Sequence, residues 1–263
     1  MTSDLPEVWC VIPDYGPKPL LQRCLASLRR VDYPADRFGP ERVIVVSNNP
    51  PNVNKLFTAA INEGIRTVLA RRRVQPAASD PCLVWLLNND TIADKQCVRA
   101  AAQCFAEMGF EETGIVGSKN LLLENSDRIF WGGSLACYPI GRHKAGNVSK
   151  GDLAVRTEEE WATFSAVFLN CALIEAIGLL DVNMRHIFSD ADYCFRARAQ
   201  GFKCFYEPNS IVLHAVGSSH RGKASAELER IKYLDALYFH EKWLGDGLYA
   251  SLTKYAQKPA IKR

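Results

Sequence analysis

The sequence predicts an α/β protein with a doubly wound, mostly parallel central sheet, helices on both faces of that sheet and a C-terminal helical extension. Two observations predict this fold. Short apolar runs alternate with amphipathic segments through the first half of the chain, which is the order of elements that builds a parallel sheet. The first three apolar runs also end on polar turn residues, with the sequences PDYG, SNNPP and NNDT.

Hydrophobic spacing predicts each element in turn. In chain order we expect a strand at 8–12, a helix at about 20–28, a strand at 42–46, a helix at about 53–63 closed by Gly64, a strand at 83–87 with a helix after it, and a strand at 114–118. Further on we expect a helix that opens at 189, a closing strand pair at 205–208 and 211–214, and a long amphipathic helix at 224–243.

Composition excludes several classes of protein. The 263 residues are 48% hydrophobic and 23% charged, as in ordinary globular proteins, and a net charge of +3 gives no reason to expect a nucleic-acid partner. No apolar run is long enough to span a membrane and no secretory signal is recognisable, so a cytoplasmic location is expected. The nine cysteines contain no CxxC pair and are expected to be free and mostly buried.

Familiar phosphate-binding and nucleophile motifs are missing from the chain. It has no GxxxxGK[ST] loop, no GxGxxG after the first strand and no GxSxG elbow. The sequence therefore does not indicate a P-loop NTPase, a standard dinucleotide enzyme or an α/β-hydrolase.

The three polar strand ends predict a ligand site, because the carboxyl ends of parallel strands meet at one edge of a sheet. Asp90 stands at the third of these ends. A carboxylate there can bind a hard divalent cation together with substrate phosphates. The alternative is that Asp90 forms a turn or caps the next helix.

Three more side chains could carry chemistry. Asp190 and Asp192 open a helix, where carboxylates also serve as caps. Their i, i+2 spacing points them to different faces, so only one of them is expected to act as a general base. His214 ends a strand and is either a structural group or an imidazole metal ligand, which suits manganese better than magnesium.

These motifs, taken in order, resemble the family 2 glycosyltransferases of the GT-A fold, in their rhamnosyltransferase-like branch. The blocks that carry the resemblance are Pro13-Asp14-Tyr15-Gly16, Val46-Ser47-Asn48-Asn49, Asn88-Asn89-Asp90, Gly178-Leu179-Leu180-Asp181, Ser189-Asp190-Ala191-Asp192-Tyr193-Cys194-Phe195-Arg196, and Tyr206-Glu207-Pro208 with His214 behind it. The chain departs from the family pattern at Asn88, where the DxD motif has its first Asp, at Ser47, where an Asp contacts the nucleobase, and at Ser189, which replaces a Glu.

The resemblance implies a metal-dependent, inverting enzyme that moves a hexose or deoxyhexose from a UDP- or dTDP-linked sugar to a hydroxyl of a glycan or lipid-linked acceptor. Polysaccharide biosynthesis for the bacterial cell surface is the expected setting. It implies Asp190 as general base, and Asp90 with His214 as ligands of Mn²⁺ or Mg²⁺. The expected nucleotide-site residues are Pro13, Asp14, Tyr15, Ser47, Asn48, Asn49, Asn62, Asn89 and Asp90, and the expected sugar and acceptor contacts are Trp131, Gly132, Gly133, Asn170 and Asp192.

The same reading divides the chain into a glycosyltransferase domain at 1–222 and a helical extension at 223–263, with a nucleotide-binding half at about 1–120 and an acceptor and catalytic half at about 121–222. The polar segment 218–221 could fold over an anionic substrate. The extension is open to three roles: packing on the domain, contact in a homodimer, or peripheral contact with the inner face of a membrane. Two other functions stay open, namely a non-catalytic nucleotide-sugar or glycan-binding module and a sugar nucleotidyltransferase.

Overall fold

The computed structural model describes residues 5–74, 81–134, 153–216 and 225–243. Its strands are β1 (Glu7–Asp14), β2 (Val43–Ser47), β3 (Cys82–Leu87), β4 (Thr91–Ala93), β5 (Thr113–Leu122), β6 (Ile129–Trp131), β7 (Thr157–Glu158), β8 (Ala166–Asn170) and β9 (Lys203–His214). Its helices are α1 (Lys18–Leu28), α2 (Leu56–Arg73), α3 (Cys97–Met108), α4 (Cys171–Ile177), α5 (Ser189–Ala199) and α6 (Ala226–Trp243), with a short 3₁₀ turn at Pro40–Arg42.

All the strands described join one sheet, in the order β2-β1-β3-β8-β5-β9-β4, with β6 and β7 paired to β5 and β9. β1 lies parallel to both β2 and β3, and β5 lies parallel to β9. β8 is inserted antiparallel between β3 and β5, and β4 runs antiparallel to β9. Since most strands of the main path share one direction, the predicted mixed, mostly parallel sheet is confirmed.

Apolar side chains cover both faces of the sheet. One cluster packs α1 and α3 against the sheet and includes the Trp85–Phe168 stack, whose ring centroids are 5.0 Å apart. The other cluster packs α2, α4, α5 and α6 on the opposite face. β3 is buried along its whole length because helices lie on both sides of it.

Two expectations about element boundaries were wrong. Gly64 does not close α2, which continues to Arg73. It lies where the helix crosses β1, and a Cβ there would be 2.1 Å from Val11 Cγ1, so the residue serves close packing. The expected strand pair at 205–208 and 211–214 is the single strand β9. Its register against β5 jumps from Glu207 to Ile211, and this irregularity accommodates Pro208, which has no N–H to donate.

Cysteine side chains and one arginine side chain are buried. The eight cysteines that the structure describes are free and buried, as expected, and Cys137 lies outside the described residues. Arg72 is also buried, and its Nε donates to Glu7 Oε2 at 3.2 Å, which pairs the buried charge. In the described part of the chain, none of the helices is both long and apolar enough to cross a membrane.

Candidate active site at the carboxyl edge of the sheet

Asp14 ties together the ends of the first three strands. Its Oδ1 accepts a hydrogen bond from Asn89 Nδ2 at 2.8 Å, and its Oδ2 accepts one from Asn49 Nδ2 at 2.9 Å. The carboxylate is buried, with 8% of the residue exposed. Asn49 Oδ1 also accepts from the backbone N–H of Gly16, which closes the turn after β1. The structure therefore brings the three polar strand ends to one place, as the sequence analysis expected.

A cleft of about 230 Å³ opens over these strand ends. The predicted site residues that line it are Pro13, Tyr15, Asn48, Asn89, Asp90 and His214. Asn54, Leu56, Phe57, Asn88 and His186 complete the lining. Asp14 and Asn49 lie behind this surface and hold it in shape, and Ser47 ends β2 opposite Asp14.

The side chains of Asp90 and His214 are in contact within the cleft. His214 Nε2 lies 3.1 Å from Asp90 Oδ1, and both residues are buried. The pairing of β4 with β9 produces this contact, since Thr91 is the register partner of His214 and the backbone N–H of Ala215 donates to the carbonyl of Asp90 at 2.9 Å. Phe130 packs edge-on against the imidazole, with ring centroids 4.9 Å apart.

This pair fits a divalent cation. Two neighbouring ligands of one octahedral ion lie roughly 3 Å apart when each is about 2.1 Å from it, and the Asp90–His214 separation matches that spacing. His214 Nδ1 is buried and has no hydrogen-bond partner within the described residues. No group of three or more His, Cys, Asp or Glu side chains there could hold a metal ion. Further ligands would therefore have to be oxygen atoms from outside these side chains.

Asp190 lies in the first turn of α5, and its Oδ1 accepts from the backbone N–H of Ala191 at 2.9 Å. Burial raises the pKa of this carboxyl to about 6, although backbone hydrogen bonds, including one from Phe164, act in the opposite direction. Phe164 precedes Ser165, whose carbonyl accepts from the N–H of Asn88 at 2.9 Å. The start of α5 thus adjoins the end of β3.

Asp192 has different hydrogen-bond partners from Asp190, as their i, i+2 spacing predicted. It is fully buried. Its Oδ2 accepts from Arg196 Nε at 2.9 Å, and its Oδ1 accepts from Lys242 Nζ and Trp243 Nε1, each at 2.8 Å. Asp192 therefore anchors the C-terminal end of α6 and does not line the cleft.

Two expected amide contacts also lie elsewhere. The Asn62 side chain bonds both backbone groups of Leu180, with its Nδ2 donating at 2.9 Å and its Oδ1 accepting at 3.0 Å. Asn170 caps α4 and donates to the carbonyls of Phe110 and Thr113. It pairs with Leu83, near the start of β3, so it lies at the opposite edge of the sheet from the cleft.

The expected sugar contacts at Trp131, Gly132 and Gly133 are buried. Trp131 is 1% exposed and packs edge-on against Trp161 and Tyr206, so its ring has no free face for a ligand. Gly132 is buried, and a Cβ there would be 2.4 Å from Leu153 Cδ1. Gly133 is buried and adopts φ 102°, a turn conformation. The segment 218–221 lies outside the described residues.

Four cleft residues had no signal in the sequence: Asn54, Leu56, Phe57 and His186. The first three enter through the irregular start of α2, where Leu56 has φ 62°. His186 enters through the loop before α5, which ends at Phe188 with φ 64°. Left-handed backbone at bulky residues is strained and clusters at functional sites. It is not visible in hydrophobic spacing.

Comparison with known proteins gives a family and a fold. A family model described as "Glycosyltransferase like family 2" matches residues 6–231. No curated protein matched the sequence.

Two solved structures illustrate the likeness. One is the mannosyltransferase PcManGT from Pyrobaculum calidifontis in complex with GDP-Man and Mn²⁺, at 13% identity and a TM-score of 0.51, with 97% of this chain and 81% of that chain covered. The other is GalNAc-T7 with UDP, GalNAc and Mn²⁺, at 11% identity and a TM-score of 0.55, with 92% of this chain and 57% of that chain covered. At these identities the likeness shows the fold, GT-A.

Proposed function

Because the chain belongs to the glycosyltransferase-like family 2, we propose that it is a metal-dependent, inverting enzyme that transfers a sugar from a UDP- or dTDP-linked donor to a hydroxyl of a glycan or lipid-linked acceptor. The observation that carries the proposal is the buried Asp90–His214 contact inside a cleft at the carboxyl edge of the sheet. Ligands of open α/β sheets bind at that edge.

Asp90 and His214 are the residues that would hold the cation. When it is bound, Mn²⁺ or Mg²⁺ supplies positive charge to the leaving diphosphate. The chain offers one carboxylate where the family pattern has two, since Asn88 lines the cleft in place of an Asp. Tyr15 and Asn48 would border the nucleotide, and Asn89 keeps its place through its bond to Asp14.

Asp190 is the proposed general base. Its carboxylate would accept the proton of the acceptor hydroxyl as that oxygen attacks the anomeric carbon, and one base with one in-line displacement inverts that carbon. A carboxyl whose pKa burial raises to about 6 is a stronger base than an ordinary Asp and is still mostly ionised at pH 7. The hydrogen bond from Ala191 fixes its orientation.

Resemblance alone supports the finer assignments. These are the rhamnosyltransferase-like branch, a hexosyl or deoxyhexosyl donor, a bacterial cell-surface product and a cytoplasmic location with peripheral contact at the inner face of the membrane. Asn88 and Ser47 are the observations that favour the alternative of a non-catalytic nucleotide-sugar or glycan-binding module. A sugar nucleotidyltransferase is disfavoured because the turn after β1 is short and built around a buried, hydrogen-bonded carboxylate at Asp14.

The test separates turnover from donor binding in two variants. Asp190→Asn is expected to lower turnover about 100-fold or more while donor affinity stays the same. Asp90→Ala is expected to weaken donor binding in Mn²⁺ as well as turnover. Asp36→Asn, at an exposed carboxylate, is the matched control and should behave as wild type.

Four outcomes would contradict the proposal. Near-full turnover in Asp190→Asn would show that Asp190 is not the general base. Activity that survives strong chelation would show that the reaction needs no metal ion. Donor binding without turnover in the wild type would favour the binding module. Release of pyrophosphate during donor synthesis would identify a nucleotidyltransferase instead.

A further inference from the structure

Helix α6 has two apolar faces, and among the residues that the structure describes only one of these faces is buried. Its inner face buries Leu228, Ile231 and Phe239, and Phe239 belongs to the core cluster that also contains Phe195. Its outer face leaves Tyr233, Leu234 and Leu237 with 65%, 40% and 48% of their surfaces exposed. Contiguous exposed apolar side chains on a folded protein mark surfaces that interact with other proteins, membranes or ligands.

The outer face carries a regular seam. Arg230, Leu234, Leu237 and Glu241 are spaced by four, three and four residues and are all exposed. Residues three and four apart lie on the same side of a helix. The same spacing places these four residues at successive seam positions of a heptad repeat, where two helices pack side by side.

We propose that this seam is a two-fold contact between two copies of the chain, formed by two antiparallel α6 helices. The 4-3-4 spacing reads the same in both directions, so the seam can pair with itself. Antiparallel pairing places Leu234 against Leu237 of the second copy and Arg230 against Glu241 of the second copy. Both charge pairs are then attractive, and the four leucines form the centre of the contact.

Charge decides against two other partners for this face. Helices that lie on membrane surfaces carry mostly Lys and Arg on their polar side, whereas α6 has four acidic residues and three basic ones. The seam is self-complementary in both spacing and charge, and a partner with a different sequence would not explain this property. A second copy of the chain matches the seam in both spacing and charge.

The inner contacts of α6 make it a fixed platform for such pairing. Asp235 accepts hydrogen bonds from two backbone N–H groups of the loop before α5, and Lys242 pairs with Asp181 at 2.7 Å. Little helix ordering is therefore left to the association step. The seam spans only about three helical turns, so we expect a weak dimer whose population depends on concentration.

The test is charge reversal in the full-length protein, followed by sedimentation over a concentration series. Arg230→Glu and Glu241→Arg should each weaken the dimer about tenfold, because each replaces two attractive pairs with two repulsive ones. The double variant R230E/E241R should restore affinity to near the wild-type value.

Lys232→Glu is the matched control, because it reverses the same charge on another side of α6. Each residue has an i, i+3 ion pair with a Glu, at 3.6 Å for Arg230 and 2.9 Å for Lys232, so both substitutions disturb the helix alike. Only Arg230→Glu should affect association. Leu237→Glu should leave the protein monomeric while its circular dichroism stays unchanged.

Four results would overturn the proposal. They are a full-length chain that stays monomeric at all concentrations, a dimer that Arg230→Glu does not weaken, a double variant that stays as weak as the single ones, and equal weakening by Lys232→Glu. Binding of the monomer to vesicles of anionic phospholipid that Leu237→Glu abolishes would assign this face to membranes instead.

Discussion

At the scale of single residues, Asp190 links burial to pH dependence. Burial raises the pKa of its carboxyl to about 6, and the proposed base works only when ionised. We therefore expect kcat/KM to fall about tenfold for each pH unit below 6 and to level off above 7. A pH profile of wild type and Asp190→Asn checks this, since the residual activity of the variant should lack the acid limb caused by Asp190. A wild-type profile that is flat down to pH 4.5 would contradict the assignment.

The same shift has a consequence for stability. The folded pKa of Asp190 is higher than the ordinary Asp value, so its contribution to the free energy of unfolding is largest below about pH 4 and is lost as the pH rises through 6. Asp190→Asn should therefore be more stable than wild type at pH 8, by about 1–3 kcal/mol, with the difference vanishing near pH 4. Urea denaturation at both pH values measures it. A variant that is less stable than wild type at pH 8 would show that burial of the ionised Asp190 carboxylate does not destabilise the folded protein.

Asp14 shows what sequence can and cannot say about one residue. The structure places the turn after the first strand at the candidate site, yet the sequence did not reveal that this carboxylate points inward to Asn49 and Asn89. Side-chain direction at a strand end depends on neighbouring strands that lie far away in the chain. No local pattern encodes it.

A substitution at Asp14 tests this inward role. Asp14→Asn replaces an acceptor of two amide N–H groups with a side chain that has one acceptor and one donor, so one amide of Asn49 or Asn89 loses its hydrogen bond to this side chain. We expect a loss of about 1–3 kcal/mol in the free energy of unfolding together with weaker donor binding. Asp36→Asn, at an exposed position, serves as the control. Unchanged stability in Asp14→Asn would mean that the strand ends are held by other contacts.

At the scale of elements, hydrophobic periodicity predicted strands and helices correctly where burial of a face or of a whole strand determines the structure. β3 and α3 follow their apolar patterns because one helix face or a whole strand is covered. The errors arose where packing overrides a local signal. Gly64 is a common helix terminator by type, but here its missing side chain lets α2 cross β1 against Val11. Pro208 suggests a break in a strand, but a register shift against β5 absorbs it.

Helix α6 also acts on the site through its inner face. Asp235 is fully buried, and its Oδ2 accepts from the backbone N–H groups of His186 at 2.6 Å and Ile187 at 3.0 Å. These bonds hold the loop that carries His186 into the cleft and leads to Asp190. We therefore expect Asp235 to be a positioning residue for the end of that loop next to α5.

Removal of this carboxylate should loosen the loop without unfolding the helix. Asp235→Ala is expected to lower turnover about tenfold or more and to cost about 1–3 kcal/mol of stability, while Asp235→Asn, which keeps an acceptor oxygen, should recover part of both. Turnover, donor affinity and hydrogen exchange of residues 186–188 are the measurements. Glu229→Gln, at an exposed position on the same helix, is the control. Faster hydrogen exchange of residues 186–188 with normal turnover would show that catalysis does not depend on the order of this loop.

At the scale of the whole molecule, the sheet order explains why the candidate site was only partly predictable. His214 and Asp90 meet because β4 turns back to pair with the end of β9 at the outer edge of the sheet. The order of motifs along the chain indicated that they belong to one site, through resemblance. Composition and spacing could not show the pairing, nor that Asn170 and Trp131 are committed to other contacts.

This architecture predicts how ligands should stabilise the protein. Two side chains cannot complete the coordination shell of a hard cation, so Mn²⁺ alone should bind weakly and raise the melting temperature little. A nucleoside diphosphate supplies the missing oxygen ligands, and the two together should stabilise by more than the sum of their separate effects. At a hundred times the dissociation constant the gain is about 2.7 kcal/mol, or roughly 5–10 °C for a chain of this size.

Thermal unfolding with Mn²⁺, UDP or dTDP, and each combination measures this coupling. Asp90→Ala should abolish the excess shift and leave the weak effect of the nucleotide alone, whereas Asp36→Asn should retain it. A nucleotide shift that is equal with Mn²⁺ and with EDTA would place the nucleotide away from the Asp90–His214 pair. A large shift from Mn²⁺ alone, retained in Asp90→Ala, would place the cation elsewhere, because the proposed site depends on the Asp90 carboxylate.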